Sequence, residues 1–544
     1  MRTQIDVPRP LAPIRSRMAT GDRRSLAAGA AGMWMVLVLA SVPASAEGPK
    51  RYDEPFRPQV HFSPDKNWMN DPNGMVYYQG EYHLFFQYNP FGDTWGHMSW
   101  GHAVSKDLFH WEHLPVALRE KDGVMNFSGS AVVDQNNRSG FGREGKPPLV
   151  AIYTGHGKGK QTQNVAYSSD RGRTFTKFEG NPVIDIGSPE FRDPKVMWHE
   201  PSKQWVMVVA RPDQRKVLFY GSPDLKKWAQ LGEFGGQGAV AGIWECPDLF
   251  ELPVLQGSTP TGRKRWVLVV NINGGTPAGG SGTQYFVGDF DGKTFTNDNP
   301  KETVLWADWG ADFYAAQSFS DVPANDGRRI WLAWMSNWRY ANQEPTKPWR
   351  TAMTMPRELR LLETGRGMRL RQVATKESEI LRMKSAEGGF LIPQILQDVV
   401  INEGDDPLKA GRLKGDALEL QIEFTNVEAD EVGLKVRVGD GQETVIGFDA
   451  RKKEVFVDRT KSGLNFHKEF AARHAAKVVA PNNSMLLHVW VDRSSVELLA
   501  EGGLVSITER IYPDARSQGV SVYATGGKAR VKHLFAWKLK SVWE

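Results

Sequence analysis

Three acidic residues in this sequence sit in settings where sugar chemistry could use them. Asp71 lies in Asn70-Asp71-Pro72-Asn73-Gly74, Asp193 in Arg192-Asp193-Pro194, and Glu245 in Trp244-Glu245-Cys246-Pro247. Cleaving a glycosidic bond takes two carboxyls: one ionised to attack or stabilise the anomeric carbon, one protonated to serve the leaving oxygen. Around Asp71 stand Trp68, Gln87, Trp95 and Trp100. Amides hold sugar hydroxyls, and indoles pack on the apolar faces of the ring and exclude water. Taken alone, Asp-Pro and Asn-Gly mark nothing more than a hairpin turn, so the neighbours carry the argument. Glu245, between Trp244 and Cys246, is expected to be desolvated and pushed toward an acid's role. Asp193 follows Arg192, which should keep it ionised and suit it to binding hydroxyls.

These acids are far apart in sequence, so a repeated element must bring them together. A polar motif followed by two strands joined through a turn recurs at Asp71, Ser128, Asp193, Glu245 and Asp312, with spacings of 57, 65, 52 and 67 residues. A second motif keeps the same beat at Asp107, Asp170, Asp224 and Asp291, each an Asp-type turn closed by an aromatic residue. Repeats of this size made only of strand and turn match four-stranded propeller blades, and helical periodicity is nearly absent across 60–360. The expected fold is therefore all-β: a five-bladed β-propeller over 47–370, whose equivalent strand ends meet around one funnel, followed by a C-terminal β-sandwich. After a linker at 371–390, with a short helix expected at 376–385, the second domain runs over 391–544, its alternating strands returning from roughly residue 415. The acids of that second domain lack the motif-plus-strand register, so it is expected to support rather than to catalyse.

Composition narrows the partners. Of a net charge of +5, residues 1–46 carry +4, from six arginines against Asp6 and Asp22. The remainder is near neutral and has no basic run, which argues against nucleic acid or an anionic membrane and for a neutral ligand. The stretch from Ser25 has an apolar centre at Met33–Ala40 and ends in Ala44-Ser45-Ala46, the pattern of an export signal cleaved after residue 46. An uncleaved anchor is the alternative, but the centre is short for a membrane span. The expected product is secreted, free of the membrane after cleavage and monomeric. With one cysteine, Cys246, no intrachain disulfide can form. No His/Cys cluster has metal spacing and no Gly-rich phosphate loop is present, so neither metal nor other cofactor is expected.

The motifs together resemble glycoside hydrolase family 32, which contains invertases, exo-inulinases, levanases and fructan β-fructosidases. The resemblance rests on His61-x-x-Pro64-x-x-x-x-Met69-Asn70-Asp71-Pro72-Asn73-Gly74, Phe127-Ser128-Gly129-Ser130, Phe191-Arg192-Asp193-Pro194 and Trp244-Glu245-Cys246-Pro247, and on Val491–Glu497 in the second domain. It implies a retaining hydrolase that releases fructose from levan, inulin or sucrose through a fructosyl-enzyme ester. Asp71 would be the nucleophile, Glu245 the acid/base, and Asp193, with Arg192 beside it, would hold fructose hydroxyls. Trp68, Asn70, Gln87, Trp95, Phe127 and Ser128 would line the fructose subsite. The stretch Met335–Asn342 looks more like levanases and exo-inulinases than sucrose-only invertases, which places Trp338 on the leaving-group side. The alternatives are a sucrose-preferring invertase and a non-catalytic fructan-binding propeller. Ser168-x-Asp170-x-Gly172-x-Thr174-Phe175 resembles the turn of a sialidase-like propeller, but the arginine triad and tyrosine nucleophile of that class have no placed counterpart.

Overall fold

The computed structural model describes residues 52–384, 394–409 and 411–543; the expected export segment at 1–46 lies outside them. Five blades of four or more strands begin at Asn67, Met125, Arg192, Ile243 and Tyr314, the last two joined into one ten-stranded sheet where Val254 and Leu255 pair in parallel with Leu361 and Leu362, and their first strands touch in cyclic order, the fifth against the first. This is a closed five-bladed propeller. The ring is sealed where Trp349–Arg350, late in the propeller, pairs in parallel with Asn67 and Trp68 of the first blade. Separate apolar clusters fill the spaces between blades: Val76, Phe85 and Trp100 against Ala131 and Tyr153, and Val206 and Phe219 against Trp244 and Leu268. Each fully buried Val, Leu or Phe of this kind contributes roughly 1.5–3 kcal/mol relative to exposure.

The two repeated motifs separate into two jobs. Asp107, Asp224 and Asp291 each accept hydrogen bonds from two backbone N–H groups just downstream, such as Lys226 and Lys227 to Asp224 at 2.9 Å. Asp170 holds its turn through the N–H and hydroxyl of Thr174. The second motif is thus the turn that closes a blade's outer strands. The first motif lies on the inner strands, and the pairing register breaks at it in every blade: near Met69–Val76, at Asn126/Gly129, opposite Asp193, at Glu245/Asp248 and at Tyr314/Gln317. Such bulges re-aim side chains out of the pleat. Asp193 and Cys246 take positive φ, 67° and 44°, to make this turn. Gly74 shares that conformation, and a Cβ there would stand 2.6 Å from the Phe85 ring, so only glycine fits.

Gly367–Ala374 pairs antiparallel with Arg357–Thr364 as the fifth blade's outer hairpin. The propeller therefore runs past 370, into residues expected in the linker. The helix expected at 376–385 is a 3-10 helix, Lys376–Leu381. Beyond it a six-stranded and a five-stranded antiparallel sheet, led by Gln394–Asn402 and Arg473–Lys477, face each other over one apolar core that includes Leu420, Ile422, Val489, Leu498 and Val522. This is the β-sandwich.

A buried ionic layer joins the two domains. His61, the first residue of the propeller motif, lies 2.7 Å from both Asp492 and Glu497 of the sandwich motif. Glu497 also accepts from the Arg357 guanidinium, which reaches Ser506 and Thr508 as well. Nearby, Arg459 joins Asp312 at 2.6 Å and Glu509 at 2.9 Å.

Candidate active site

The four motif positions Asp71, Ser128, Asp193 and Glu245 meet at the mouth of the funnel, around a cavity of about 340 Å³. Asn70, Gln87, Trp95, Phe127, Arg192 and Trp338 line the same cavity. Asp71 is nearly enclosed. Its Oδ2 accepts from the Ser128 hydroxyl at 2.6 Å and lies 3.4 Å from the Cys246 Sγ, while Oδ1 has no hydrogen-bond partner. Burial pushes this carboxyl above its usual range, against the Ser128 bond. Asp193 Oδ2 accepts the Cys246 backbone N–H at 3.0 Å and lies 3.5 Å from the same thiol. Cys246 therefore sits between the two carboxylates as a shared donor. Burial and three neighbouring carboxylates push its thiol far up, so it is a neutral bridging group and not a nucleophile.

Two sequence expectations about charge are corrected here. Asp193 follows Arg192 in the chain, but the guanidinium turns away: it donates to Glu245 Oε1 from Nε at 3.1 Å and from Nη2 at 2.8 Å, and also to Glu190 and Gln161. Its nearest approach to Asp193 is 3.9 Å. Burial outweighs this distant cation and lifts Asp193 to about 7, so it is not held firmly ionised. Trp244 does not desolvate Glu245 either. Adjacent strand residues point to opposite faces, and Trp244 packs among Phe234 and Phe286 while Glu245 opens into the cavity with 15% of its side chain exposed. Glu245 is instead held by Arg192 on Oε1 and by the Tyr314 hydroxyl on Oε2.

Trp68 is a third correction. It is fully buried, stacked on Trp338 with ring centroids 5.9 Å apart, and donates its indole N–H to Asn70 Oδ1 at 2.7 Å. It lies behind the subsite and orients Asn70. The fifth repeat departs as well: Asp312 does not reach the funnel but faces the sandwich, bound by Arg459 and by the Arg510 N–H.

Comparison with known proteins agrees with this geometry. The N-terminal domain of the glycosyl hydrolases family 32 matches residues 61–373, and the family's C-terminal domain matches 393–538. The chain belongs to glycosyl hydrolase family 32. It is 50% identical over 517 residues to a levanase of Bacillus subtilis, covering 94% of this chain and 74% of that one. It is 39% identical over 530 residues to an extracellular exo-inulinase of Aspergillus niger, covering 90% and 96%. The crystal structure of an exo-inulinase from Aspergillus awamori superposes with a TM-score of 0.84 at 38% identity, over 90% of this chain and all of that one.

Several residues of this family 32 site escaped the sequence reading. His156, Gln161, Glu190 and Asn273 also line the cavity, and Tyr314 grips Glu245. Tyr314 had a signal: it follows the fifth repeat's anchor by two residues and occupies the bulge that the acids occupy in other blades. Glu190 also stands two residues from a motif. His156 and Gln161 flank a tight turn, and Asn273 ends a strand, where residue type alone says nothing.

Proposed function

We propose that this family 32 hydrolase is a secreted fructan β-fructosidase that releases fructose from levan- or inulin-type chains, and from sucrose, by double displacement. Asp71 attacks the anomeric carbon, forming a fructosyl ester, while Glu245 protonates the leaving oxygen and then activates water. Asp193 and Asn70 hold fructose hydroxyls, and Gln87, Phe127 and Ser128 complete the subsite. Arg192 and Tyr314 fix the Glu245 carboxyl between them. Trp95 lines the fructose subsite, and Trp338 provides the leaving-group wall. The protein acts as a monomer.

The observation that carries this reading is the convergence of Asp71, Asp193 and Glu245, from three blades, on one open pocket in which Arg192 grips Glu245. The levanase and exo-inulinase relatives support fructan over sucrose as the preferred substrate, and the extracellular relatives support export. Among the described residues no helix is long and apolar enough to cross a membrane.

The test is the product and its anomer. Retention requires the attacking and donating carboxyls to stand roughly 5–5.5 Å apart, leaving no seat for a water, so newly released fructose carries the β-configuration of the substrate. NMR of fresh product from levan, inulin and sucrose, read before mutarotation, is expected to show β-fructose. Release of the α-anomer would make Asp71 a base and overturn the ester. Absence of cleavage of all three substrates would leave a binding propeller.

A further inference from the structure

The wall of the pocket that carries Trp338 is not supported by the propeller alone. Residues 336–344 leave the fifth blade before the chain pairs with the first, and this segment bears on two indoles of the site, the exposed Trp95 and the half-buried Trp338. Trp338 lines the cavity directly, and Asn342 Oδ1 accepts the backbone N–H of Trp95 at 2.9 Å. From the other side the segment is held by the sandwich. The Tyr340 ring packs edge-on against Phe466 and Phe470, with centroids 5.8 Å and 5.5 Å away. Its hydroxyl donates to Asp312 Oδ1 at 2.6 Å and accepts from Arg459 Nη2 at 3.0 Å, while Arg459 Nη1 joins Asp312 Oδ2 at 2.6 Å. Arg339 pairs with Glu469 at 2.9 Å, a further tie to the sandwich.

We infer that the β-sandwich positions the outer wall of the site through the 336–344 segment, with Tyr340 and Arg459 as the positioning residues for Trp338 and Trp95. The hydroxyl of Tyr340 is the point where the connection can be tested. The ring is already packed among aromatics, so the fold of the segment does not need the oxygen. What the oxygen adds is a fixed distance between a buried sandwich arginine and a turn two residues from Trp338. Interactions through rigid, fully buried hydrogen bonds hold geometry better than surface contacts, because no water competes for the partners. A wall fixed in this way selects for the sugars beyond the cleaved bond. That consequence rests on the proposed fructan hydrolysis.

The experiment is a double-mutant cycle of Tyr340→Phe and Trp338→Ala, with sucrose and a levan or inulin oligomer as substrates. Tyr340→Phe is expected to raise KM for the oligomer by about threefold to tenfold and KM for sucrose by less, with kcat changed by no more than about twofold. In the Trp338→Ala background the same change is expected to move KM for the oligomer by less than about twofold, because the wall it positions is gone. Independent, multiplicative effects, or equal changes on both substrates, would overturn the inference. Amide exchange gives a reading that needs no substrate. The N–H of Trp338, bonded to Ser281 Oγ, and those of Tyr340 and Ala341, bonded to the Asn337 carbonyl, are expected to exchange faster in Tyr340→Phe. Unchanged exchange there would overturn the positioning claim even if the parent protein proved to cleave no fructoside. That second result would overturn the functional reading alone.

Discussion

In the pocket, Glu245 and Glu190 share one guanidinium, that of Arg192, which comes no nearer than 3.9 Å to Asp193, while Asp71 meets the Ser128 hydroxyl and the Cys246 thiol. Between the domains, Asp492, Glu497 and Glu509 are as deeply buried, but each is met by His61, Arg357, Arg459 or His474. Burial pushes Asp71, Asp193, Asp492, Glu497 and Glu509 alike upward. In the pocket it wins, and Asp71 and Asp193 rise. In the layer the partners win, and Asp492, Glu497 and Glu509 are held below their usual range. Asp308 shows where the balance turns: it shares Arg357 with Glu497, and its carboxyl rises despite four hydroxyl and amide donors. The same residue types thus serve opposite ends according to how many cations they are given. A crowded, under-neutralised set stores reactivity at a cost in stability; a matched set fixes how two domains meet.

The strongest way to break this comparison is to neutralise the pocket. Asp71→Asn and Asp193→Asn are each expected to cost about a thousandfold or more in turnover, by analogy with the removal of other enzymes' central groups, while raising the melting temperature at neutral pH. Asparagine keeps the acceptor that Cys246 uses in Asp193 but carries no charge to be buried. A lowered melting temperature in Asp193→Asn would mean that its carboxylate is well neutralised, and the contrast would fall.

The reverse experiment removes a charge from the layer. Glu497→Gln leaves His61 and Arg357 short of a counter-charge, and breaking a buried pair in this way typically costs about 3–5 kcal/mol. Denaturant unfolding is expected to show that loss. Turnover at a temperature where the variant stays folded is expected to be close to that of the parent, since no cavity-lining residue is touched.

How much of this was legible depended on whether a feature was local. The blades were readable because each repeats its own turn and strand signals, and Asp71, Asp193 and Glu245 were readable because each opens an inner strand of such a unit. The charge state of Asp193 was not. Arg192 next to Asp193 suggested an effect that chain adjacency cannot deliver, and Trp244 packs away from Glu245, since a bulged strand sends neighbours to different faces. His61 and the Asp492–Glu497 stretch stood out as motif residues, yet their partnership spans 431 residues and belongs to the domain junction. Asp312 counted correctly as a repeat and incorrectly as part of the funnel, because the fifth blade's bulge begins two residues later, at Tyr314.

A smaller change sharpens the pocket side. Ser128→Ala removes the 2.6 Å hydrogen bond that opposes burial at Asp71. Asp71 must be ionised to attack, so its carboxyl rising further moves the acid limb of the pH–rate profile to higher pH. The expected shift is about one unit, with kcat at the optimum lower by about tenfold. An acid limb that stays in place would show that another group sets it.

The smallest expected effect separates the two clusters by pH alone. Burial would lower the His61 pKa, but its hydrogen bonds to Asp492 and Glu497 outweigh that and lift it from 6.5 to about 9. A group whose folded pKa is raised binds protons more tightly in the native state, so its stabilisation is fully present below 6.5 and is lost as pH rises toward about 9. Asp193 follows the same algebra in a lower window. Raised from 3.8 to about 7, it makes stability fall as pH rises between those values. The melting temperature is therefore expected to decline in two stages, the first shared by Asp193 with the other buried carboxyls raised above their usual range, Asp71 and Asp321, and the second belonging to the domain junction. Asp193→Asn should shrink the first stage and leave the second; His61→Gln, less stable overall, should flatten the second and leave the first. Melting curves recorded from pH 4 to 10 for the parent and both variants decide this, at shifts of a few degrees. If His61→Gln left the decline above pH 7 intact, the histidine would not carry a proton between its two carboxylates, and the layer would be held by Arg357 and Arg459 alone.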